Sequence, residues 1–71
     1  MTKEEAVLDS GNHSDLINES FKFPNGEIFT VKSIGIWHID NKWEVHAFYN
    51  RPNEPLLDSI NVQHVYTYKH L

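Results

Sequence analysis

The sequence has no cysteine. This excludes disulfide staples, thiolate zinc centres and cysteine nucleophiles together. Glycine and proline are scarce, at three each. The glycines (Gly11, Gly26, Gly35) stand apart, so no glycine-rich loop is available to cradle a phosphate. No run approaches the roughly 20 apolar residues that a membrane-crossing helix needs. The opening Met1-Thr2-Lys3-Glu4-Glu5 is acidic where a secretion signal is basic and then apolar. A cytoplasmic protein without membrane contact is the expectation, and on that ground the two sequons, Asn12-His13-Ser14 and Asn18-Glu19-Ser20, are read as chance matches.

Positive charge is also in short supply, and its placement is uneven. Residues 1–20 hold five acids (Glu4, Glu5, Asp9, Asp15, Glu19) against Lys3, whereas residues 21–71 hold five acids and five bases, so the net charge of −4 lies entirely in the first part. A neutral body without a basic stripe argues against direct binding to nucleic acid, whose phosphates must be neutralised.

With 71 residues the chain is one small domain. A core of this size supplies only about 3–5 kcal/mol of net stability, so small domains of this kind lean on staples or on dense packing. All nine aromatic residues lie after residue 20. Aromatic packing, or self-association, is therefore the expected substitute for the missing staples.

The organisation splits in two: an acidic, partly ordered N-terminal arm over 1–19 and a β-rich domain over 20–71. In the arm, Thr2 with Glu5 three residues later is a capping-box pattern, predicting one or two helical turns over residues 3–9 that end at Ser10-Gly11-Asn12. From residue 20 the signals are those of strand and turn. Phe21-Lys22-Phe23 alternates into Pro24-Asn25-Gly26, a hairpin signal in which proline presets the first turn position and glycine takes the left-handed one. A long β-branched and aromatic run follows, Ile28 to Ile39, then Asp40-Asn41 and a further run from Trp43 to Tyr49.

The register of this central hairpin decides which side chains share a face. A three-residue loop pairs Ile39 with Trp43 and places Phe29, Val31, Gly35, Trp37, Ile39, Trp43, Val45, Ala47 and Tyr49 together as the core face. A two-residue loop instead mixes Lys42, Glu44 and His46 into the face holding Phe29, so the three-residue loop is the expected one, with Gly35 a place where a bulge would shift phase. Residues 50–59, with Pro52 and Pro55, read as an exposed loop, and Leu56-Leu57 is expected to fold back onto the core. Ile60, Val62, His64, Tyr66 and Tyr68 alternate as a last strand over 60–69; a helix capped by Asp58 or Ser59 is the alternative. The expected fold is mainly β: an antiparallel meander of four to five strands forming an open barrel of SH3-like architecture, with a short N-terminal helical or disordered arm.

Few residues suggest covalent chemistry. None of the serines sits in a nucleophile-elbow context, and a small barrel filled by its own side chains leaves little room for a cleft that would perturb paired carboxylates. Among the five histidines, His38, His46, His64 and His70 lie on predicted strands, but without the tight spacing of a metal-ligand motif. The expectation is a protein that is not an enzyme and has no cofactor and no metal. The informative feature is the second face of the central hairpin, where Ile34, Ile36 and Phe48 need a cover beside His38 and His46. That predicts a module that binds another protein, with self-pairing into a homodimer as one form of it, through Ile34, Ile36, Trp37, His46 and Phe48. The alternative is an acidic inhibitor or nucleic-acid mimic, of the kind phage use to block a host protein, acting through Glu4, Glu5, Asp9, Asp15 and Glu19.

Overall fold

A computed structural model describes residues 1–51 and 54–69. The chain runs α1 (Lys3–Ser10), a 3-10 segment (Gly11–Leu16), β1 (Ser20–Lys22), β2 (Ile28–Thr30), β3 (Ser33–Ile39), β4 (Lys42–Asn50), β5 (Leu57–Asn61) and α2 (Val62–Tyr68). The five strands form two antiparallel sheets, β1-β2 and β3-β4-β5. The protein is thus mainly β, as expected, but neither sheet closes into the expected barrel.

The capping box forms: Thr2 Oγ1 accepts the Glu5 N–H at 3.2 Å, and Glu5 Oε1 accepts the Thr2 N–H at 3.0 Å. Two of the donors that every helix start leaves unpaired are thereby satisfied. The segment packs on the body. Ala6 and Leu16 are fully buried, and Leu16 belongs to the main core cluster. Asn18, with φ 73°, turns the chain out of the 3-10 segment, and its N–H donates to the Val31 carbonyl at 2.8 Å. Asparagine tolerates that left-handed geometry. Val31 in turn donates to the Glu19 carbonyl at 2.9 Å, tying the first twenty residues to the end of β2.

The first hairpin follows its turn residues. Gly26 (φ 94°) donates to the Phe23 carbonyl at 2.9 Å, and Phe23 donates to the Glu27 carbonyl at 2.8 Å. This is a type I turn over Pro24-Asn25 followed by a left-handed glycine. The Asn25 side chain accepts the Glu27 N–H at 3.0 Å, which fixes the exit.

The central hairpin departs from the expected register. Ile39 pairs with Lys42, not with Trp43, and the loop is the two residues Asp40 and Asn41. Both have positive φ, 50° and 61°, the signature of a type I′ turn. That turn carries the same right-handed twist as the strands it joins, and Asp and Asn enter the left-handed region at low cost. The pleat also changes phase between β2 and β3, across Lys32-Ser33 and not at Gly35. The inward residues are therefore Phe29 and Val31, then Ile34 and Ile36, then Val45, Ala47 and Tyr49. Trp37 and Ile39, expected on the core face, lie on the other.

Two further expectations are corrected. Leu56 and Leu57 do not return to the core; they are 77% and 47% exposed. The last segment is not one strand: β5 ends at Asn61, whose side chain accepts the Gln63 N–H at 2.9 Å and caps α2. Val62 and Val65, three apart, then bury one helix face. The helical alternative was right in kind, with Asn61 in place of Asp58 or Ser59 as cap.

The core lies between the two sheets and the helices. Phe29 and Tyr49 sit 4.8 Å apart by ring centroids, Phe21 meets Tyr49 edge-on at 5.4 Å, and Phe23 bridges Phe21, Phe29 and Tyr68 at 5.4–5.5 Å. Edge-to-face pairs of this kind add to the area they bury. Arg51 closes one side, over the Phe29 ring at 5.5 Å and paired with Asp58 and Glu27.

Candidate functional site

The register of β3-β4-β5 produces two unlike faces. The inner face carries Ile34, Ile36, Val45, Ala47, Tyr49 and Ile60 against α1, the 3-10 segment and α2. The outer face carries Ile39, Trp37, Gly35 and Ser33 from β3; Lys42, Glu44, His46 and Phe48 from β4; and Leu57, Ser59 and Asn61 from β5. Of the residues expected to form a contact patch, Trp37, His46 and Phe48 do come together on this outer face. Ile34 and Ile36 do not: they are half-buried on the opposite side, and Ile34 packs against the core.

The outer face is ordered by aromatic packing and one hydrogen-bond chain. Trp37 is 44% exposed. Its indole lies over the His46 imidazole, with centroids 5.8 Å apart and planes 23° apart, and meets the Phe48 ring edge-on at 6.3 Å. Phe48 crosses above Gly35, where an added Cβ would stand 3.0 Å from the ring. Glycine at this position is what lets the ring lie flat across the sheet. Beneath the indole, His46 is only 8% exposed yet fully partnered: Nδ1 lies 2.9 Å from Ser59 Oγ and Nε2 lies 2.9 Å from Glu44 Oε1. An ionised carboxylate can only accept, so Nε2 donates to Glu44, while Nδ1 and the Ser59 hydroxyl share the second hydrogen bond. The hydrogen bond from His46, followed by one from Asn61 and by the charges of His46 and Lys42, outweighs partial burial and holds the Glu44 carboxyl below the usual carboxylate range.

Serine, histidine and glutamate in this order form the chain through which an imidazole can draw a proton from a hydroxyl. Here Ser59 lies within β5, and the chain holds the Glu44 carboxylate in place on the outer face. Glu44 and Trp37 are direct cross-strand partners, which sets their Cβ atoms about 5 Å apart on one face. Glu44 also borders a cleft of about 230 Å³ formed with Met1, Asp9, Lys42, Trp43, Val45, Asn61, Val62 and Gln63. β5 pairs with β4 only as far as His46, so the Lys42–Val45 stretch has β3 on one side and this cleft bordering it.

The other sequence candidates are dispersed. Glu4 and Glu5 lie in the first turn of α1, and Glu5 is engaged in the capping box, whose hydrogen bonds from Thr2 lower its carboxyl. Asp9 pairs with His13 Nε2 at 3.2 Å, and His13 Nδ1 contacts the Tyr66 hydroxyl at 2.9 Å. Burial, then the nearby Asp15 and Asp9 carboxylates, pushes that phenol up. Asp15 and Glu19 are exposed. His38 stacks on Trp43 at 4.6 Å and His64 is exposed on α2, while His70 and Pro52 fall outside the described residues. Among the described residues no group of three or more His, Cys, Asp or Glu is placed to hold a metal ion, and no helix is long and apolar enough to cross a membrane.

Sequence reasoning placed Glu44 on the second face with His46 without naming it as a contact residue, and missed Ser59, Asn61 and Leu57 as members of that face. The Glu44-His46-Phe48 alternation was the available signal; pairing it with Trp37 needed the two-residue loop. Comparisons with protein-family models, curated proteins and solved structures return no match for this chain.

Proposed function

We propose that this protein is a small non-enzymatic binding module that engages another protein through the outer face of β3-β4-β5. The observation that carries this reading is the stripe Ile39–Trp37–Phe48–Leu57, which runs diagonally across the sheet with three of its four members 44–47% exposed. An antiparallel sheet with a solvated face is ordinarily polar there, and aromatic anchors at the centre of a surface are the usual carriers of binding energy. The Ser59-His46-Glu44 chain supports the same reading, because it orders the polar side chains next to a partly exposed indole.

Three strands about 4.8 Å apart and about 25 Å long offer on the order of 350 Å². That is below the roughly 800 Å² per partner of a standard interface, so the face suits a short segment or a transient partner better than a stable homodimer. The test compares Trp37→Asp with Leu8→Asp, a change at a 77%-exposed site on α1, in cross-linking from a native lysate, with light scattering for self-association. Proteins lost with Trp37→Asp and retained with Leu8→Asp support the reading. If every captured protein survives Trp37→Asp, the outer face is ordinary surface.

A further inference from the structure

β3 is an end strand of its sheet, and its free edge is unguarded. The two-residue loop makes Ile39 and Lys42 a hydrogen-bonded pair, so by alternation Trp37, Gly35 and Ser33 also turn their main-chain groups toward β4. The N–H and C=O groups of Ile34, Ile36 and His38 therefore point away from the sheet. Among the described residues no main-chain group outside the sheet bonds to them. α1 and the 3-10 segment pack against β3 from the inner face without pairing with this edge. Sheets ordinarily blunt such an edge with a charge, a proline, a bulge or a very short strand. The other end strands use these devices: β1 and β2 are three residues long, and β5 carries Asp58, paired with Arg51, with Pro55 shortly before it. β3 runs for seven residues, Ser33 to Ile39, with no Asp, Glu, Lys, Arg or Pro among them.

We propose that this edge pairs with a second copy of the chain, β3 against β3 and antiparallel, about a two-fold axis at Ile36. The three strands of each copy then form one continuous sheet. Centring on Ile36 is the register that pairs all seven residues of both strands. Ile36 faces its counterpart, Ile34 faces the second copy's His38, and Gly35 faces the second copy's Trp37. All the outward main-chain groups meet, giving about six hydrogen bonds between copies. The pairing is self-complementary in size and in charge. Gly35 has no side chain to oppose the incoming indole, whereas a register centred on Trp37 would set the two indoles against each other. A strand without ionised groups places no like charges opposite one another. Growth stops at the dimer, because both outer ends of the joined sheet are then β5, guarded by Asp58. Edge pairing buries little area, so the dimer is weak and concentration-dependent. It goes beyond the binding-face reading and stands independently of it. Its consequence for that face is size: two outer faces side by side offer on the order of 700 Å², close to the share of one partner in a standard interface.

The test follows the full chain by light scattering and amide hydrogen exchange from roughly 0.01 to 1 mM, a range that brackets the affinity of small interfaces. The expected dimer is half-formed at on the order of 0.1 mM. As the mass rises toward twice that of the chain, exchange of the Ile34, Ile36 and His38 amides should slow about fivefold, the reciprocal of the fraction left as monomer. The Ser33, Gly35 and Trp37 amides, already bonded to β4, should change least. In a sample mixing labelled and unlabelled chains, the Gly35 and Trp37 Hα atoms of different copies should show a contact, since such non-hydrogen-bonded pairs bring Cα atoms to about 4.5 Å. A synthetic chain N-methylated at Ile36 loses an outward donor and no bond within the sheet, so it should fold by circular dichroism and stay monomeric. A chain that is monomeric at the highest concentration overturns the proposal. So does a dimer whose three outward amides exchange as in the monomer, one that lacks the Gly35–Trp37 contact, or an N-methylated chain that still dimerises. Protection of these amides by an added extended peptide, without self-association, assigns the edge to a foreign segment and overturns the second copy as occupant. The exchange measurement uses the unaltered protein, so the result does not depend on the N-methylated chain folding. Failure here leaves capture through Trp37 to its own test.

Discussion

The two faces of the three-stranded sheet are built from the same strands, one residue apart, and differ in almost every physical respect. On the inner face Val45, Ala47 and Tyr49 are buried against helices and against a second sheet. On the outer face the corresponding β4 positions are Glu44, His46 and Phe48, one a carboxylate held below its usual range, one hydrogen-bonded at both ring nitrogens, one aromatic and half-exposed. The inner face stabilises by removing apolar area from water. The outer face keeps a comparable aromatic group where water can still reach it. Apolar groups left half-wet on a well-ordered sheet, with their polar neighbours satisfied, contribute little to folding and are available to a partner.

The comparison can be broken most sharply from the inside. Leu16 is fully buried in the core cluster. Leu16→Ala should cost about 2–5 kcal/mol, comparable with the whole stability expected of so small a core, so urea unfolding should show a population unfolded without denaturant. A variant as stable as the parent would mean that the first twenty residues do not help form the inner layer.

Alkali should attack the inner side next. Burial pushes the Tyr49 and Tyr66 hydroxyls up, in Tyr49 against the opposing charge of Arg51. A group with a raised folded value stabilises fully below its unfolded value and loses that contribution as pH rises through the folded one. Stability should therefore hold from pH 8 to about 10, the ordinary tyrosine value, and fall above it, with Tyr66→Phe flattening part of the fall. Melting temperatures by circular dichroism at pH 8, 10 and 11 read this directly.

The turn that sets which side is which gives a smaller effect. Asn41 has φ 61°, and a β-branched residue there pays about 1–2 kcal/mol. Asn41→Val should lower stability by that amount and Asn41→Gly should not; equal losses in both, measured by urea unfolding, would argue against the type I′ turn.

On the outer face the effects shrink further. Gly35→Ala places a methyl 3.0 Å from the Phe48 ring and should cost about 1 kcal/mol, the range for a modest overpacking. In the Phe48→Leu background the cost should disappear, which a double-mutant cycle checks. Smallest of all, Trp37→Ala should change stability by less than about 1 kcal/mol, as for other partly exposed sites, while abolishing partner capture. A Trp37→Ala loss as large as that of Leu16→Ala would mean that the indole belongs to the core and that the two faces are not functionally distinct.

Local chemistry was legible wherever one residue type settles one backbone choice. Thr2 and Glu5 announced the helix cap, Pro24-Asn25-Gly26 announced the first hairpin, and the absence of cysteine beside nine aromatics announced an aromatic core. The candidate face was only half legible. Trp37, His46 and Phe48 were named together, but Ile34 and Ile36 were placed with them because the register was counted through a loop one residue too long. Ser59 and Asn61 carry no signal of their own: a serine mid-strand and an asparagine at a helix start read as ordinary polar residues until β5 sets them beside His46 and Glu44.

From composition and pattern alone came a small, staple-free, mainly β chain with an acidic beginning, because propensity, capping and turn chemistry act over three or four residues. The face presented by each strand came only from the folded chain. Side chains alternate with a period of two, so a single residue's difference in a loop, or one phase change at Lys32-Ser33, inverts every assignment downstream. Long-range packing of α1, Leu16 and α2 against one side of the sheet chooses between the two parities. That choice leaves Trp37 in water and sets Glu44 at its side.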